Sequence, residues 1–143
     1  MWTVLLSMLG CGPKPESLTT PQKRERIESM YEGYRKLGFA SVPEVGVEQV
    51  DALEDPVIVD VRPEEERAVS MIPGAIDKDT FEAHAARYRE RPVVTYCTIG
   101  ARSGMYAKKL QKDGYDVHNL KGSILLWSHA GRPFEDADGP TQR

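Results

Sequence analysis

A chain of 143 residues with 40% apolar content can bury the core of one domain and is short for two. Its formal net charge of −3 leaves no basic excess for counterion-release binding, so nucleic acid is excluded as an expected partner. The two cysteines, Cys11 and Cys97, stand far apart in unlike contexts, and His84, His118 and His129 share no ligand spacing with either; neither a disulfide scaffold nor a metal site is expected.

The first eleven residues, MWTVLLSMLGC, are the most apolar stretch, yet they are too short to span a bilayer as a helix, which takes about 20 residues. Their end, Leu9-Gly10-Cys11, resembles a bacterial lipoprotein signal, in which the cysteine is lipidated after cleavage, and Gly12-Pro13-Lys14-Pro15-Glu16-Ser17 would serve as a tether. No Lys or Arg precedes the apolar run, which departs from that pattern. Two readings of residues 1–20 therefore stand side by side: a signal with Cys11 as the lipidation site, or a disordered N-terminus with an incidental cysteine. The first places the domain on a membrane outside the cytoplasm; the second leaves it cytoplasmic. The sequence assigns no oligomeric state.

From Pro21 the composition changes. Residues 21–40 read as a helix entered by Thr20 as N-cap and Pro21 at its first position, with Ile27, Met30, Tyr31, Tyr34 and Leu37 on one face. That stripe is expected to dock on the domain, while the charges, among them Lys23, Arg24 and Arg26, form a solvated face. Pro43 and Gly46 punctuate a turn, and a brief helix over 47–53 follows. The nearly all β-branched Val57-Ile58-Val59-Asp60-Val61 suits a strand buried on both faces of a parallel sheet.

Next, Pro63 with Glu64, Glu65 and Glu66 opens a helix with acidic residues in its first turn. Pro73-Gly74 marks a turn inside Met71–Ile76, and 79–88 reads as a further helix carrying a surface His84. A last short strand over 114–120 leads to an apolar helix over 124–130, in which Trp127 is expected in the core. The polar end, from Phe134 onward, is expected to be loosely held. Strand, helix and strand in succession argue for βαβ units.

Within this order, Val93-Val94-Thr95-Tyr96 is a buried strand that stops at Cys97, passes through the small-residue loop Thr98-Ile99-Gly100-Ala101-Arg102-Ser103, and reopens as a helix ending at Gly114. A thiol there meets backbone N–H groups and a helix macrodipole that favour negative charge. Redox, phosphate and sulfur chemistry all remain open to such a nucleophile.

Four pieces in this order resemble the rhodanese-like domain family of single-domain sulfurtransferases: Ile58-Val59-Asp60-Val61-Arg62 before an acidic helix; Ile72-Pro73-Gly74-Ala75-Ile76; the cysteine loop after Tyr96; and Leu120-Lys121-Gly122-Ser123-Ile124 before Trp127. The resemblance covers about residues 45 to 134 and implies a doubly wound α/β fold with a central parallel sheet flanked by helices. The extra helix over 21–40 precedes a domain at 41–135, and 136–143 form a flexible tail. The reaction it implies moves a sulfane sulfur from a donor such as thiosulfate onto Cys97 as a persulfide, then to cyanide or a thiol. No cofactor is implied.

In that reading Thr98, Ile99, Gly100, Ala101 and Arg102 curl so that their N–H groups face the sulfur, Arg102 holds an anionic donor, and Ser103 caps the following helix. Asp60 and Arg62 fix the loops around the site. Related phosphatases and arsenate reductases use a loop one residue longer to hold a tetrahedral oxyanion; here four residues separate Cys97 from Arg102, which favours sulfur transfer. Ser70-Met71 depart from the Gly-His that often precedes Ile-Pro-Gly-Ala in the family. The alternative is a non-catalytic rhodanese-like module that binds a partner or senses oxidants through Cys97.

Overall fold

The computed structural model describes residues 17–142, so Cys11 and its lipidation reading lie outside the described residues. Five short strands, β1 (Glu44–Val45), β2 (Val57–Asp60), β3 (Ile76–Asp77), β4 (Val93–Tyr96) and β5 (Val117–Leu120), form one sheet in the order β1-β5-β4-β2-β3. Every pairing is parallel. The period of two along β4 divides the core: Val93 packs with Val57, Val59, Phe81 and Leu110 on one face, whereas Val94 and Tyr96 pack with Leu120, Leu126 and Trp127 on the other. With apolar layers on both faces, the strands tolerate continuous Val/Ile composition.

The helices α1 (Thr20–Gly38), α2 (Glu64–Val69), α3 (Lys78–Ala83), α4 (Ala101–Lys112) and α5 (Ser123–His129) flank this sheet. The expected helix over 79–88 is instead α3 followed, after a break at His84, by a 3-10 turn, Ala85–Tyr88. The brief helix over 47–53 is a single 3-10 turn, Val50–Ala52.

Helix α1 differs from expectation in two respects. Its N-cap is Thr19 rather than Thr20, because Thr19 and Gln22 form a reciprocal capping box, which places Pro21 in the first turn. Of the apolar stripe, Ile27 and Tyr31 are buried, but Met30, Tyr34 and Leu37 remain exposed. The docking face is rotated toward charged positions, and ion pairs flank the two buried residues: Arg24 with Glu48, Glu28 with Lys121 at 3.6 Å, and Arg35 with Glu44 at 3.3 Å. Arg24 thus belongs to the docked side and not to a purely solvated face.

The C-terminal end is also tied down. Strands β6 (Phe134–Asp136) and β7 (Gly139–Thr141) make an antiparallel hairpin, with Phe134 buried. Met71 and Glu135 exchange backbone hydrogen bonds of 2.7 and 2.9 Å, and the Glu135 side chain accepts from the Gly74 amide at 3.0 Å. The expected loose tail is therefore a β-hairpin laid against the Met71–Gly74 turn. Among the described residues no helix is long and apolar enough to cross a membrane.

Candidate active site

Cys97 follows the last residue of β4 and lies at the C-terminal end of the parallel sheet, between its two central neighbours β2 and β5. In open α/β sheets that edge is where strands hand over to loops and where ligands bind. Its side chain is 1% exposed. The Gly100 amide donates to Cys97 Sγ at 3.2 Å, and the Ser103 hydroxyl donates to the same sulfur at 3.4 Å. Helix α4 starts at Ala101, so the amides of Ala101, Arg102 and Ser103 are first-turn donors with no intrahelical acceptor. The loop therefore offers the sulfur two donors at the positive end of a helix.

Ser103 does not cap α4. Gly100 occupies the N-cap position with φ 110°, in the left-handed region, and Ser103 sits inside the first turn, where its hydroxyl faces the sulfur. The left-handed turn at Gly100 allows the chain to enter a helix directly after the cysteine loop, leaving no separate capping residue between them.

What holds the loop from beneath is a buried polar network that spacing along the chain does not reveal. The Asn119 amide on β5 donates to the Gly100 carbonyl at 2.9 Å and to the Tyr31 hydroxyl at 3.4 Å. The Thr95 hydroxyl lies within 3.1 Å of Asn119 Oδ1 and 3.2 Å of the Ser103 carbonyl. The Ser123 hydroxyl accepts from the Cys97 amide and donates to the Leu120 carbonyl, each at 3.1 Å. Thr95, Ser103, Asn119 and Ser123 have no exposed surface, so these bonds satisfy groups that would otherwise be costly to bury. Burial also raises the Tyr31 pKa, which keeps its hydroxyl protonated.

Asp60 and Arg62 lie beside the site. Parallel register places Asp60 opposite Tyr96, whose hydroxyl donates to Asp60 Oδ2 at 2.6 Å and accepts from the Ile72 amide at 3.1 Å. Arg62 binds the Asp60 carboxylate at 2.7 Å and reaches the Ser70 carbonyl at 2.6 Å. Burial, the largest influence, works against charge on Arg62, but the hydrogen bonds and charges of Asp60 and Tyr96 together outweigh it and raise the Arg62 pKa. The pair with Tyr96 ties the end of β2 to the Ser70–Ile72 turn, which is where the Gly-His departure falls.

Arg102 points to the mouth of the loop and is half exposed. Its guanidinium makes two bonds to Glu66, Nη1 to Oε2 at 2.8 Å and Nη2 to Oε1 at 3.2 Å, and a third to Thr98 Oγ1 at 2.8 Å. Hydrogen bonding to Glu66 holds the Arg102 pKa up, and the same bonds hold the Glu66 carboxyl below its ordinary range. Glu66 reads in the sequence only as one of three acidic residues in a helix first turn; its reach across to α4 depends on how α2 sits, which no local pattern encodes.

The rhodanese-like domain profile matches residues 47–130, which include the cysteine loop, Asp60, Arg62 and Ser123. A tRNA sulfurtransferase of Desulfurococcus amylolyticus is 34% identical over 135 residues, covering 82% of this chain and 28% of that protein. The chain thus spans little more than a quarter of that relative's length. A sulfurtransferase of Allochromatium vinosum is 37% identical over 93 residues, covering 60% of this chain and 84% of that protein. Among solved structures, a thiosulfate sulfurtransferase of Pseudomonas aeruginosa superposes with a TM-score of 0.61 at 23% identity, over 79% of this chain and 23% of that one, a likeness of fold. The profile match takes in four of the five sheet strands, β2 to β5, together with the cysteine loop, and on that extent the chain belongs to the rhodanese-like domain family.

Proposed function

We propose that the protein is a sulfurtransferase that carries sulfane sulfur as a persulfide on Cys97. The observation that carries this reading is the pair of donors on Cys97 Sγ, the Gly100 amide at 3.2 Å and the Ser103 hydroxyl at 3.4 Å, at the N-terminal end of α4. Such a site offers hydrogen-bond donors to a sulfur nucleophile and to the terminal sulfur of a persulfide. Relatives named as sulfurtransferases support the same chemistry.

In the donor half-reaction the Cys97 thiolate attacks the sulfane sulfur of thiosulfate. The sulfur–sulfur bond of thiosulfate breaks, sulfite leaves with the bonding pair, and Cys97 becomes a persulfide anion. In the acceptor half-reaction a thiolate or cyanide attacks the outer sulfur, the persulfide bond breaks, and the Cys97 thiolate is restored. Splitting the transfer in two is the ordinary advantage of a covalent intermediate. Ser123 and Asn119 position the loop and stay outside the bond changes.

The test is mass spectrometry of the protein after thiosulfate treatment, followed by thiocyanate formation on adding cyanide. A gain of one sulfur atom on the Cys97 peptide, lost in Cys97→Ser, is expected. An unmodified Cys97 after exposure to several sulfane donors, with the thiol reduced and alkylatable, would overturn the reading in favour of a partner-binding or oxidant-sensing module.

A further inference from the structure

The mouth of the cysteine loop is less electropositive than its arginine suggests. A cleft of about 450 Å³ opens beside Arg102 and is lined by Arg62, Glu64, Arg67, Asp77 and Lys78 among others. Each cation in it already has a carboxylate: Arg62 has Asp60 at 2.7 Å, Arg67 has Asp77 at 3.5 Å, Lys78 has Glu82 at 3.9 Å and Arg102 has Glu66 at 2.8 Å. Glu66 is the carboxylate placed against the cysteine loop itself. It contacts the loop residue after Cys97, Thr98, at 3.3 Å as well as Arg102.

We propose that Glu66 sets the donor preference of the site, by occupying Arg102 so that a doubly charged inorganic donor is disfavoured against a singly charged sulfane donor. The proposal rests on the sulfur-transfer reading above. A dianion that displaces the Glu66 carboxylate leaves that charge unpaired near its own second charge, and one that binds beside it makes three negative charges share one guanidinium. A monoanion meets half of that repulsion. Glu66 does not touch the reacting sulfur atoms, so it is a positioning and selectivity residue.

Two donors that react by the same bond changes isolate the charge. Thiosulfate transfers its sulfane sulfur to the Cys97 thiolate and releases sulfite; methanethiosulfonate transfers the same sulfur and releases methanesulfinate. Charge and atoms balance in both, and the donors differ by one unit of charge. The measurement is kcat/KM for each donor, with cyanide as acceptor, in the unmodified protein, Glu66→Gln and Glu66→Asp.

Glu66→Gln keeps size and a hydrogen-bond acceptor for Arg102 but removes the charge. We expect its ratio of thiosulfate to methanethiosulfonate kcat/KM to rise about five- to twentyfold at low ionic strength, mainly through a lower KM for thiosulfate. The gain is expected to shrink as salt is added. Glu66→Asp retains the charge and is expected to keep the original ratio within about twofold. An unchanged ratio in Glu66→Gln, or an equal loss with both donors, overturns the charge role and leaves Glu66 as a brace for Arg102. If neither donor loads sulfur on Cys97 of the unmodified protein, the sulfur-transfer reading itself falls, and this proposal with it; the two failures are thereby distinguished.

Discussion

The Asn119 side-chain amide donates to the carbonyl of Gly100 at 2.9 Å, so a residue of β5 fixes the orientation of the peptide that precedes α4. With that carbonyl drawn down into the domain, the Gly100 amide on the other side of the same residue is left free to face Cys97 Sγ. Asn119→Ala removes this anchor, while the Gly100 carbonyl keeps the Gly104 amide at 3.0 Å and the Thr95 hydroxyl keeps the Ser103 carbonyl at 3.2 Å. We expect a loss of about 0.5–1.5 kcal/mol in urea unfolding for each hydrogen bond removed. We also expect at least about a tenfold slower sulfur loading of Cys97, since the donor cup is no longer held in register. Loading at the original rate in folded Asn119→Ala would show that the loop holds its shape without β5.

Gly100 faces a stricter requirement. Its φ of 110° is a conformation that residues with a Cβ rarely adopt, and a Cβ added there would lie 2.7 Å from the Tyr31 ring. Gly100→Ala therefore combines backbone strain with a collision against a fully buried ring. The expected outcome is destabilisation of about 1–3 kcal/mol. Thiocyanate formation should be nearly abolished even at temperatures where circular dichroism shows a folded protein. The comparison with Gly33→Ala, where a Cβ meets nothing within 4 Å, provides the control.

These two positions also mark the limit of what the chain discloses by pattern. Strand period, β-branched composition and the Pro and Gly punctuation identify the sheet and its helices, because those signals are local and repeat along the segment. Cys97, Gly100 and Arg102 stand out because a strand ends and a helix begins within a few residues. Asn119, Ser123 and Tyr31 do not stand out: each reads as an ordinary strand, loop or helix residue until the parallel pairing of β4 with β5 and the docking of α1 bring them under the loop. Glu66 is hidden for the same reason. The C-terminal hairpin was obscured by polar composition, since its order comes from pairing with Met71 rather than from its own apolar content.

Ser123 adopts φ 46°, in the left-handed region, while its hydroxyl bridges the Cys97 amide and the Leu120 carbonyl. The strain of a non-glycine residue there, about 1–2 kcal/mol, is retained together with those two bonds. Ser123→Ala keeps the strain and loses the bonds; Ser123→Gly relieves the strain and loses the same bonds. We therefore expect Ser123→Gly to be the more stable of the two variants in thermal melts, with sulfur loading slowed equally in both. A marked difference between their loading rates would mean that the backbone at residue 123, not the hydroxyl, controls the loop.

Acidification should release part of the stability held at the mouth of the site. Glu66 is held below its ordinary value of 4.5 by Arg102, and Asp77 below 3.8 by the Thr80 amide first and then its hydroxyl and Arg67. Because both carboxyls titrate lower in the folded than in the unfolded chain, their contribution is fully present above the ordinary values and is lost as pH falls through the lowered ones. The side chains are 39% and 30% exposed, so solvent screening keeps the effect small. The stability difference between the unmodified protein and Glu66→Gln should therefore narrow between about pH 7 and about pH 3 in urea titrations. A constant difference across that range would rule out the ion pair as its source.

Tyr31 carries the last expectation, because it connects a helix outside the family-matched segment to the cysteine loop. Its ring lies directly beneath Gly100 and packs against Phe39 at 6.0 Å between centroids, while its hydroxyl accepts from Asn119. The bond to Asn119 is long, at 3.4 Å, whereas the ring is fully buried, so packing should dominate. Tyr31→Phe is expected to cost about 1 kcal/mol and to leave sulfur loading within about threefold of the unmodified protein. Tyr31→Ala opens a cavity under the loop, with an expected loss of about 3–5 kcal/mol and a marked fall in loading in the folded fraction. If Tyr31→Phe instead proved as slow as Tyr31→Ala, the hydroxyl and its bond to Asn119 would be the element that supports Gly100, and α1 would act on the site through that polar contact rather than through its ring.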